Sequence, residues 1–135
     1  KTTFILVAIL GLLVIPVLSG IVLLGLSGAK EKARDARIIV GIGQIRSAAE
    51  IYYNSNDNSY IGFQNDPQVR SVIEDIKSTG GQVRFGQINE ESYVVWSSLI
   101  SDPNKFYCVD SGGFACQLAG DPIGGQEAVK CRCPE

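Results

Sequence analysis

The feature that most constrains this chain is a strongly apolar segment without a charged residue, which runs from Thr2 to Ala29. As a helix it would span about 42 Å at ~1.5 Å per residue, more than the ~30 Å hydrocarbon core of a bilayer. A secretory signal has an apolar stretch of only about 7–15 residues, followed by its cleavage site. We therefore predict a retained transmembrane or filament-core helix over residues 1–29, with an uncleaved signal or a buried core helix as the alternative.

The same helix is predicted to continue over residues 30–53 as an amphipathic half, because apolar residues recur there at alternating steps of four and three. This apolar face consists of Ile38, Ile42, Ile45, Ala49 and Tyr52. Six charged residues of alternating sign open this half, and we expect them to form ion pairs between copies of the chain. Simple solvation or contact with lipid headgroups is the alternative. The six are Lys30, Glu31, Lys32, Arg34, Asp35 and Arg37.

Within the helix, small residues at intervals of four predict the close approach of a second helix, although the composition of an apolar helix explains them equally well. They are Gly25, Ala29 and Ala33. Pro16 removes one backbone hydrogen bond and should kink or locally unwind the helix, and with Gly11 and Gly20 on either side it marks the weakest segment. The side chains expected to pack in a core of helices are Ile5, Leu6, Ile9, Leu12, Leu13, Val17, Ile21 and Leu24.

The rest of the chain predicts a small head that belongs with the amphipathic half, over residues 30–135. Residues 54–59 favour a turn and end the helix; their Asn/Asp alternation faintly suggests a Ca²⁺ loop, but the glycine and glutamate of such a loop are missing. Asp66 and Pro67 begin a short amphipathic helix over residues 67–78, which Gly80 ends.

The chain after this short helix is predicted to form strands, because it is rich in β-branched and aromatic residues between turn signals. The predicted strands are Gln82–Ile88, Tyr93–Ile100, Lys105–Asp110, Phe114–Leu118 and Glu127–Cys133. A small antiparallel sheet over residues 82–135, packed against the amphipathic half of the long helix, would bury both apolar faces. We therefore expect an α+β fold.

The cysteines help to place this head. All four lie in the predicted sheet, at Cys108, Cys116, Cys131 and Cys133. Cys131 and Cys133 point the same way along a strand and are poorly placed to bond each other. Cys108 and Cys116 would then each bond one of the last pair, in either arrangement, with a four-thiolate zinc site or free thiols as alternatives. Disulfides indicate a head outside the cytoplasm.

The distribution of basic residues bears on the same question. Only Lys1 precedes the apolar segment and four basic residues follow it closely, which by the positive-inside rule would place the head in the cytosol. A basic leader, removed after insertion, would reverse this count. The chain contains no Met, which also suggests that it was cut from a longer precursor ahead of the apolar segment.

Several stretches resemble bacterial type IV pilin-like proteins. Residues 29–37 (Ala-Lys-Glu-Lys-Ala-Arg-Asp-Ala-Arg), 44–54 (Gln-Ile-Arg-Ser-Ala-Ala-Glu-Ile-Tyr-Tyr-Asn) and 58–60 (Asn-Ser-Tyr) resemble the helix of that family and its exit, and residues 106–112 (Phe-Tyr-Cys-Val-Asp-Ser-Gly) resemble sheet segments of some members. The resemblance implies a pilin-like fold, a dedicated leader peptidase and insertion in the inner membrane. It also implies a pilus assembly machinery and an extracellular helical homopolymer with the heads outside.

Two features depart from the family pattern. Family members usually begin with a methylated Phe and carry a Glu at the fifth position, which neutralises the terminal amine of a neighbouring subunit, whereas this chain has Lys1 and Ile5 and no acid in residues 2–29. The register between subunits would therefore come from apolar packing and other contacts. The helix-breaking proline, Pro16, also lies earlier than usual. In the family, the helix melts near such a proline during assembly, so the resemblance implies melting within about residues 13–19 in the filament.

A structural subunit of an extracellular type IV pilus-like filament is therefore the leading hypothesis, with surface attachment, motility or DNA uptake as its role. The alternatives are a pseudopilin of a secretion or competence system and a monomeric, membrane-anchored ectodomain that binds a ligand. We expect no enzyme, cofactor or metal site, because the chain has no His, and Gly41-Ile-Gly43 lies in a helix rather than after a strand. The net charge of −2 argues against nucleic-acid binding.

Overall fold

A computed structural model of the chain describes residues 2–120 and 130–133, with the backbone alone for residue 2 and residues 4–25. Its elements in chain order are helix α1 (Thr2–Ser55), a 3-10 turn (Phe63–Asn65), helix α2 (Pro67–Thr79) and strands β1 (Val83–Phe85), β2 (Val94–Ser98), β3 (Lys105–Asp110) and β4 (Ala115–Ala119). The strands form one antiparallel sheet in the order β1-β2-β3-β4. The predicted α+β class, a long N-terminal helix with a small antiparallel sheet, is confirmed.

The second half of α1 packs on the head through the predicted apolar face. Ile38, Ile42 and Ile45 are fully buried. The helix ends where polar side chains bond back to carbonyls one turn earlier: the Asn54 amide donates to Glu50 O at 2.9 Å, and the Asn56 amide donates to Tyr52 O at 2.8 Å. These bonds satisfy carbonyls that the last turn of a helix leaves without partners.

Helix α2 lies against α1 at a glycine. A Cβ atom added at Gly41 would lie 2.7 Å from Cγ1 of the buried Ile76, so the missing side chain allows the two helices to approach closely. The ends of α2 follow the predicted signals. The Asp66 carboxylate accepts a 2.8 Å bond from Gln68 N, and Gly80 closes the helix with a left-handed φ of 106°.

The sheet buries both of its faces. Residues on one face, including Tyr93, Val95 and Val109, join the main core with α1 and α2. Residues on the other face form a second, smaller core, with Trp96 paired directly opposite Cys108. This alternation along β2 and β3 is what the two-residue period of a strand produces.

The predicted fifth strand, Glu127–Cys133, differs from the structure. Residues 127–129 lie outside the described part, and residues 130–133 are not in a strand. Disulfides Cys108–Cys131 and Cys116–Cys133 hold this segment against the sheet instead. The Cys131 N–H donates to the Asp110 carboxylate at 3.0 Å. Covalent bonds and a side-chain acceptor therefore replace the expected ladder.

Among the helices of the described residues, none is both long and apolar enough to cross a membrane. The predicted transmembrane segment and the predicted helical-core side chains fall largely on residues 4–25, whose side chains lie outside the described part. Those assignments stay predictions. The backbone of α1 is helical through Pro16, and the predicted melting, which concerns the filament, also stays a prediction.

Candidate functional site

The six charged residues of residues 30–37 do not share one role. The Asp35 carboxylate is turned into the head, with 8% of the residue exposed. It accepts bonds from Ile100 N at 2.5 Å and from Ser101 N at 3.3 Å, and the Ser101 hydroxyl donates to it as well. Asp35 therefore ties α1 to the end of β2 within one chain and is not available to a neighbouring copy.

Arg37 also has a partner in its own chain. Its guanidinium donates through two nitrogens to Asp75 on α2, at 2.5 and 3.2 Å. The side chains are 62% and 47% exposed, so the ion pair orients the two helices more than it stabilises them. The other four charged residues of the group are exposed and remain candidates for contacts between subunits: Lys30, Glu31, Lys32 and Arg34.

The side of α1 that faces away from the head carries a continuous stripe of small and apolar residues. Its members recur at alternating steps of three and four and reach well into the second half of the helix. We call the following set the outer stripe: Leu26, Ala29, Ala33, Ala36, Val40, Gly43 and Ser47. Leu26 is 63% exposed and Val40 is 59% exposed. Ile51, one helical turn beyond the last residue of the stripe, is also 59% exposed. Large apolar side chains left in water along one helix face indicate a contact surface.

Ala29 and Ala33, predicted from the sequence to allow the close approach of a second helix, both lie on the outer stripe. Its continuation to Ser47 was not predicted, because the apolar face that packs on the head has the same spacing. The two faces differ by two positions, from Ile38 to Val40 for example, which is about 200° around a helix. A spacing of 3.5 residues is that of helices that pack along their length against other helices.

An aromatic cluster fixes the far end of α1 to the head. The Tyr60 hydroxyl donates to the two oxygens of Glu50 at 2.9 and 3.0 Å. Its ring lies 4.5 Å from that of Tyr53 and 4.8 Å from that of Tyr93, centre to centre. Burial, and then the bond to Glu50, raise the pKa of Tyr60 to about 12. The pKa of Tyr93 is also raised, chiefly by burial. Both hydroxyls stay neutral in ordinary conditions, so the cluster acts as a structural anchor.

The described residues contain no group of three or more Cys, Asp or Glu side chains placed to hold a metal ion. The fully buried Asp110 carboxylate is engaged by the N–H groups of Cys131 and Phe114, at 3.0 and 3.1 Å. The arrangement holds a disulfide-bonded head against one face of α1 and leaves the outer stripe exposed.

Comparisons with protein-family models, with curated proteins and with solved structures find no match to this chain. The interpretation of the outer stripe and of the disulfide-bonded head therefore rests on the residues of this chain and their contacts.

Proposed function

We propose that this chain is a structural subunit of an extracellular type IV pilus-like filament and assembles through α1. The observation that carries the proposal is the outer stripe. Every side chain from residue 26 to residue 34 is exposed, and Asp35 is the first buried one between residues 26 and 55. The part of α1 before Asp35 therefore lies off the head, although it still carries the outer stripe. Towards the N-terminus it continues into the apolar segment of residues 2–29.

The physical argument concerns what can cover such a helix. Apolar surface leaves water at a gain of roughly 25 cal/mol per Å², so an exposed stripe favours association. Ala33, Ala36 and Gly43 keep its centre narrow, which lets a second helix backbone come close. Other copies of α1 have the same narrow, regularly spaced face, and they are the simplest partner that fits it along its whole length.

The chemistry of the head favours a location outside the cytoplasm. Two disulfides hold its last described segment, and disulfides persist mainly in oxidising compartments. In this proposal the chain sits in the inner membrane with its head outside the cytoplasm, and the assembly machinery then transfers it to a filament at the cell surface. Register between copies comes from apolar packing together with Lys30, Glu31, Lys32 and Arg34, because residues 2–29 have no acid.

Electron microscopy of material sheared from the cell surface tests the proposal, with mass spectrometry to identify the polymer. We expect filaments made of this chain. Val40→Glu places a charge on the outer stripe at a 59% exposed position, so it should abolish the filaments and leave the head folded. Ser71→Glu, which adds the same charge at an exposed position of α2, is the control. A dispersed, membrane-anchored monomer without filaments would contradict the proposal and favour a ligand-binding ectodomain.

A further inference from the structure

The four cysteines form one group rather than two separate crosslinks. Cys108 and Cys116 lie directly opposite each other on β3 and β4. Cys108 bonds Cys131 across a Cα–Cα distance of 5.9 Å, and Cys116 bonds Cys133 across 5.7 Å. All four side chains belong to the smaller core on one face of the sheet. Each of the two strand cysteines therefore has two other cysteines beside it and bonds only one of them.

The distance between the two strand cysteines also suits a disulfide. Asp110 N donates to Phe114 O at 3.1 Å, so these residues are a hydrogen-bonded pair of the antiparallel ladder. Because the two kinds of pair alternate along such a ladder, Cys108 and Cys116, two positions further on, are a hydrogen-bonded pair as well. The Cα atoms of such a pair lie about 5.5 Å apart, within the range of about 4.4–6.8 Å that disulfides span. Residues directly opposite each other also project from the same face of the sheet.

The two disulfides differ in how easily a reagent reaches them. Cys108 is fully buried and Cys131 is 7% exposed, whereas Cys116 and Cys133 are both partly exposed. A thiol from solution therefore meets the Cys116–Cys133 bond first, because the rate of thiol–disulfide exchange depends on access to the sulfur atoms. When the attack falls on Cys133, Cys116 is released as a thiolate beside the buried disulfide.

The surroundings of Cys131 favour its release in a second exchange step. Lys130 and Arg132 adjoin it in the sequence and are both exposed. Positive charge near a cysteine stabilises its thiolate, which makes the sulfur a better leaving group. The opposing charge is the Asp110 carboxylate, which accepts from Cys131 N at 3.0 Å and also from Phe114 N at 3.1 Å. Two cationic side chains and one hydrogen-bonded carboxylate therefore flank the leaving sulfur.

We propose that the four cysteines form a thiol–disulfide exchange site, which takes a thiol and frees residues 130–133 from the sheet. A thiolate R–S⁻ attacks Cys133 Sγ, the R–S–S–Cys133 bond forms, and Cys116 leaves as a thiolate with the electron pair. Cys116 Sγ then attacks Cys108 Sγ, the Cys108–Cys116 bond forms, and Cys131 leaves as a thiolate. One thiolate enters and one is released, two disulfides exist before and after, and no net oxidation or reduction occurs.

The exchanged head differs from the starting one in what its disulfides connect. The Cys108–Cys116 bond links β3 to β4 within the hairpin, while the described contacts leave residues 130–133 one hydrogen bond to the sheet, from Cys131 N to Asp110. Cys133 then carries the group R, which belongs to a small thiol or to an exposed cysteine of another protein. The end of the chain thereby becomes a site of covalent attachment while the sheet stays closed. Because the exchange takes place within one head, it does not depend on the proposed function.

Delayed trapping of thiols tests the exchange in the detergent-dispersed full chain. A limiting amount of a phosphine reductant opens the more accessible disulfide, and iodoacetamide is added either at once or after a delay at mildly alkaline pH. Immediate trapping should label Cys116 and Cys133, because they form the partly exposed pair. After the delay the label should move from Cys116 to Cys131. Labels that stay on Cys116 and Cys133 would overturn the proposal.

Tryptic peptides distinguish the two states by mass. Cleavage after lysine and arginine leaves Cys108 and Cys116 in one peptide, residues 106–130, and leaves Cys131 and Cys133 in two others. Before the reaction this peptide carries both short peptides through disulfides. After exchange it carries neither of them and contains a disulfide of its own. Mass spectrometry without further reduction therefore reports which sulfurs are joined.

Cys133→Ser isolates the second step, because it leaves Cys116 as a free thiol beside the buried disulfide. In a glutathione redox buffer we expect the Cys108–Cys116 bond to appear in this variant. Cys116→Ser, which leaves Cys133 as the free thiol, is the matched control and should retain the Cys108–Cys131 bond. A Cys133→Ser chain that retains Cys108–Cys131 alone would contradict the proposal. A Cys108–Cys116 bond that forms only in urea would also contradict it, since unfolding rather than the folded head would then bring the sulfurs together.

Discussion

The Asp35 carboxylate accepts a 2.5 Å hydrogen bond from the backbone N–H of Ile100, a residue 65 positions further along the chain. This bond joins α1 to the sheet at the level where the helix leaves the head. The charged residues 30–37 therefore fall into two groups. Asp35 and Arg37 bond to residues of the same chain, whereas Lys30, Glu31, Lys32 and Arg34 are exposed. The head is thereby fixed at a set position on a helix whose opposite face is exposed.

Replacement of Asp35 should loosen this joint. In Asp35→Ala the N–H groups of Ile100 and Ser101 lose their acceptor in a partly buried place, and we expect the free energy of unfolding to fall by about 2–3 kcal/mol. Urea denaturation of the detergent-dispersed chain measures this. Glu31→Ala, at an exposed position one turn away, should change the stability by less than about 0.5 kcal/mol. Equal effects of the two substitutions would show that the buried bond does not hold the head.

Two glycines of α1 should respond in opposite directions to the same substitution. At Gly41 an added Cβ would lie 2.7 Å from Ile76, so Gly41→Ala should destabilise the head by about 1–3 kcal/mol. At Gly43 nothing lies within 4 Å of the added atom, and Gly43→Ala should stabilise the chain by about 0.5–1 kcal/mol through helix propensity. Urea denaturation of the detergent-dispersed chain compares the free energies of unfolding of the two variants. A gain of stability in both variants would contradict the tight packing of α2 on α1.

Alkaline pH should weaken the aromatic anchor. Tyr60 ionises near its ordinary pKa of 10.0 in the unfolded chain but only at about 12 in the folded one. The unfolded state therefore binds fewer protons between these values, and stability is complete below pH 10 and declines as the pH rises toward 12. The slope attributable to Tyr60 reaches at most about 1.4 kcal/mol per pH unit.

Substitution isolates the contribution of that hydroxyl. Tyr60→Phe should make the alkaline decline of the unfolding free energy shallower, whereas Tyr107→Phe, which leaves the bond to Glu50 in place, should keep it steep. Denaturation curves recorded from about pH 8 to about pH 12 compare the variants. This range covers the ionisation of Tyr60 in the unfolded chain, near 10.0, and reaches that in the folded chain, at about 12. The same slope in Tyr60→Phe and in the unchanged chain would assign the decline to other groups.

The disulfides should open in a defined order. Cys108 and Cys131 are buried at 0% and 7% exposure, while Cys116 and Cys133 are partly exposed. Mild reduction followed by alkylation should therefore label the Cys116–Cys133 pair first. Full reduction should release the chain after Gly120 before the sheet opens, because residues 130–133 are not in a strand. Hydrogen exchange of the backbone amides measures this release. Four free thiols in native material, or loss of the sheet in the same step, would contradict the account.

Much of the fold follows from local signals. The ends of α2 were predictable because Asp66, Pro67 and Gly80 have fixed chemical roles at helix ends. Strand β3 was predicted at its observed bounds, Lys105–Asp110, because turn residues enclose it. The pairing of Cys108 and Cys116 with the last two cysteines is also confirmed, since geometry along the chain excluded a bond between the close neighbours.

The rest depends on tertiary contacts that one sequence does not display. The inward turn of Asp35 needs the end of β2 beside it, and a carboxylate in a run of charges otherwise predicts an exposed side chain. Of the strand expected at Glu127–Cys133, the described residues 130–133 are not in a strand, because Cys131 is held by its disulfide and by Asp110 rather than by a neighbouring strand. The outer stripe was not predicted because its residues, such as Val40, recur at the same three-and-four spacing as the buried face, two positions out of phase with it.

The central claim, that copies of α1 cover one another in a filament, is tested most directly by a helical reconstruction of sheared filaments from electron micrographs. We predict residues 2–29 packed in the filament core, the outer stripe buried against neighbouring copies, the disulfide-bonded heads outside, and helical density interrupted within residues 13–19 around Pro16. Unbroken helix there would overturn the predicted melting alone. Filaments in which the outer stripe faces solvent, or filaments built from another protein, would contradict the central claim.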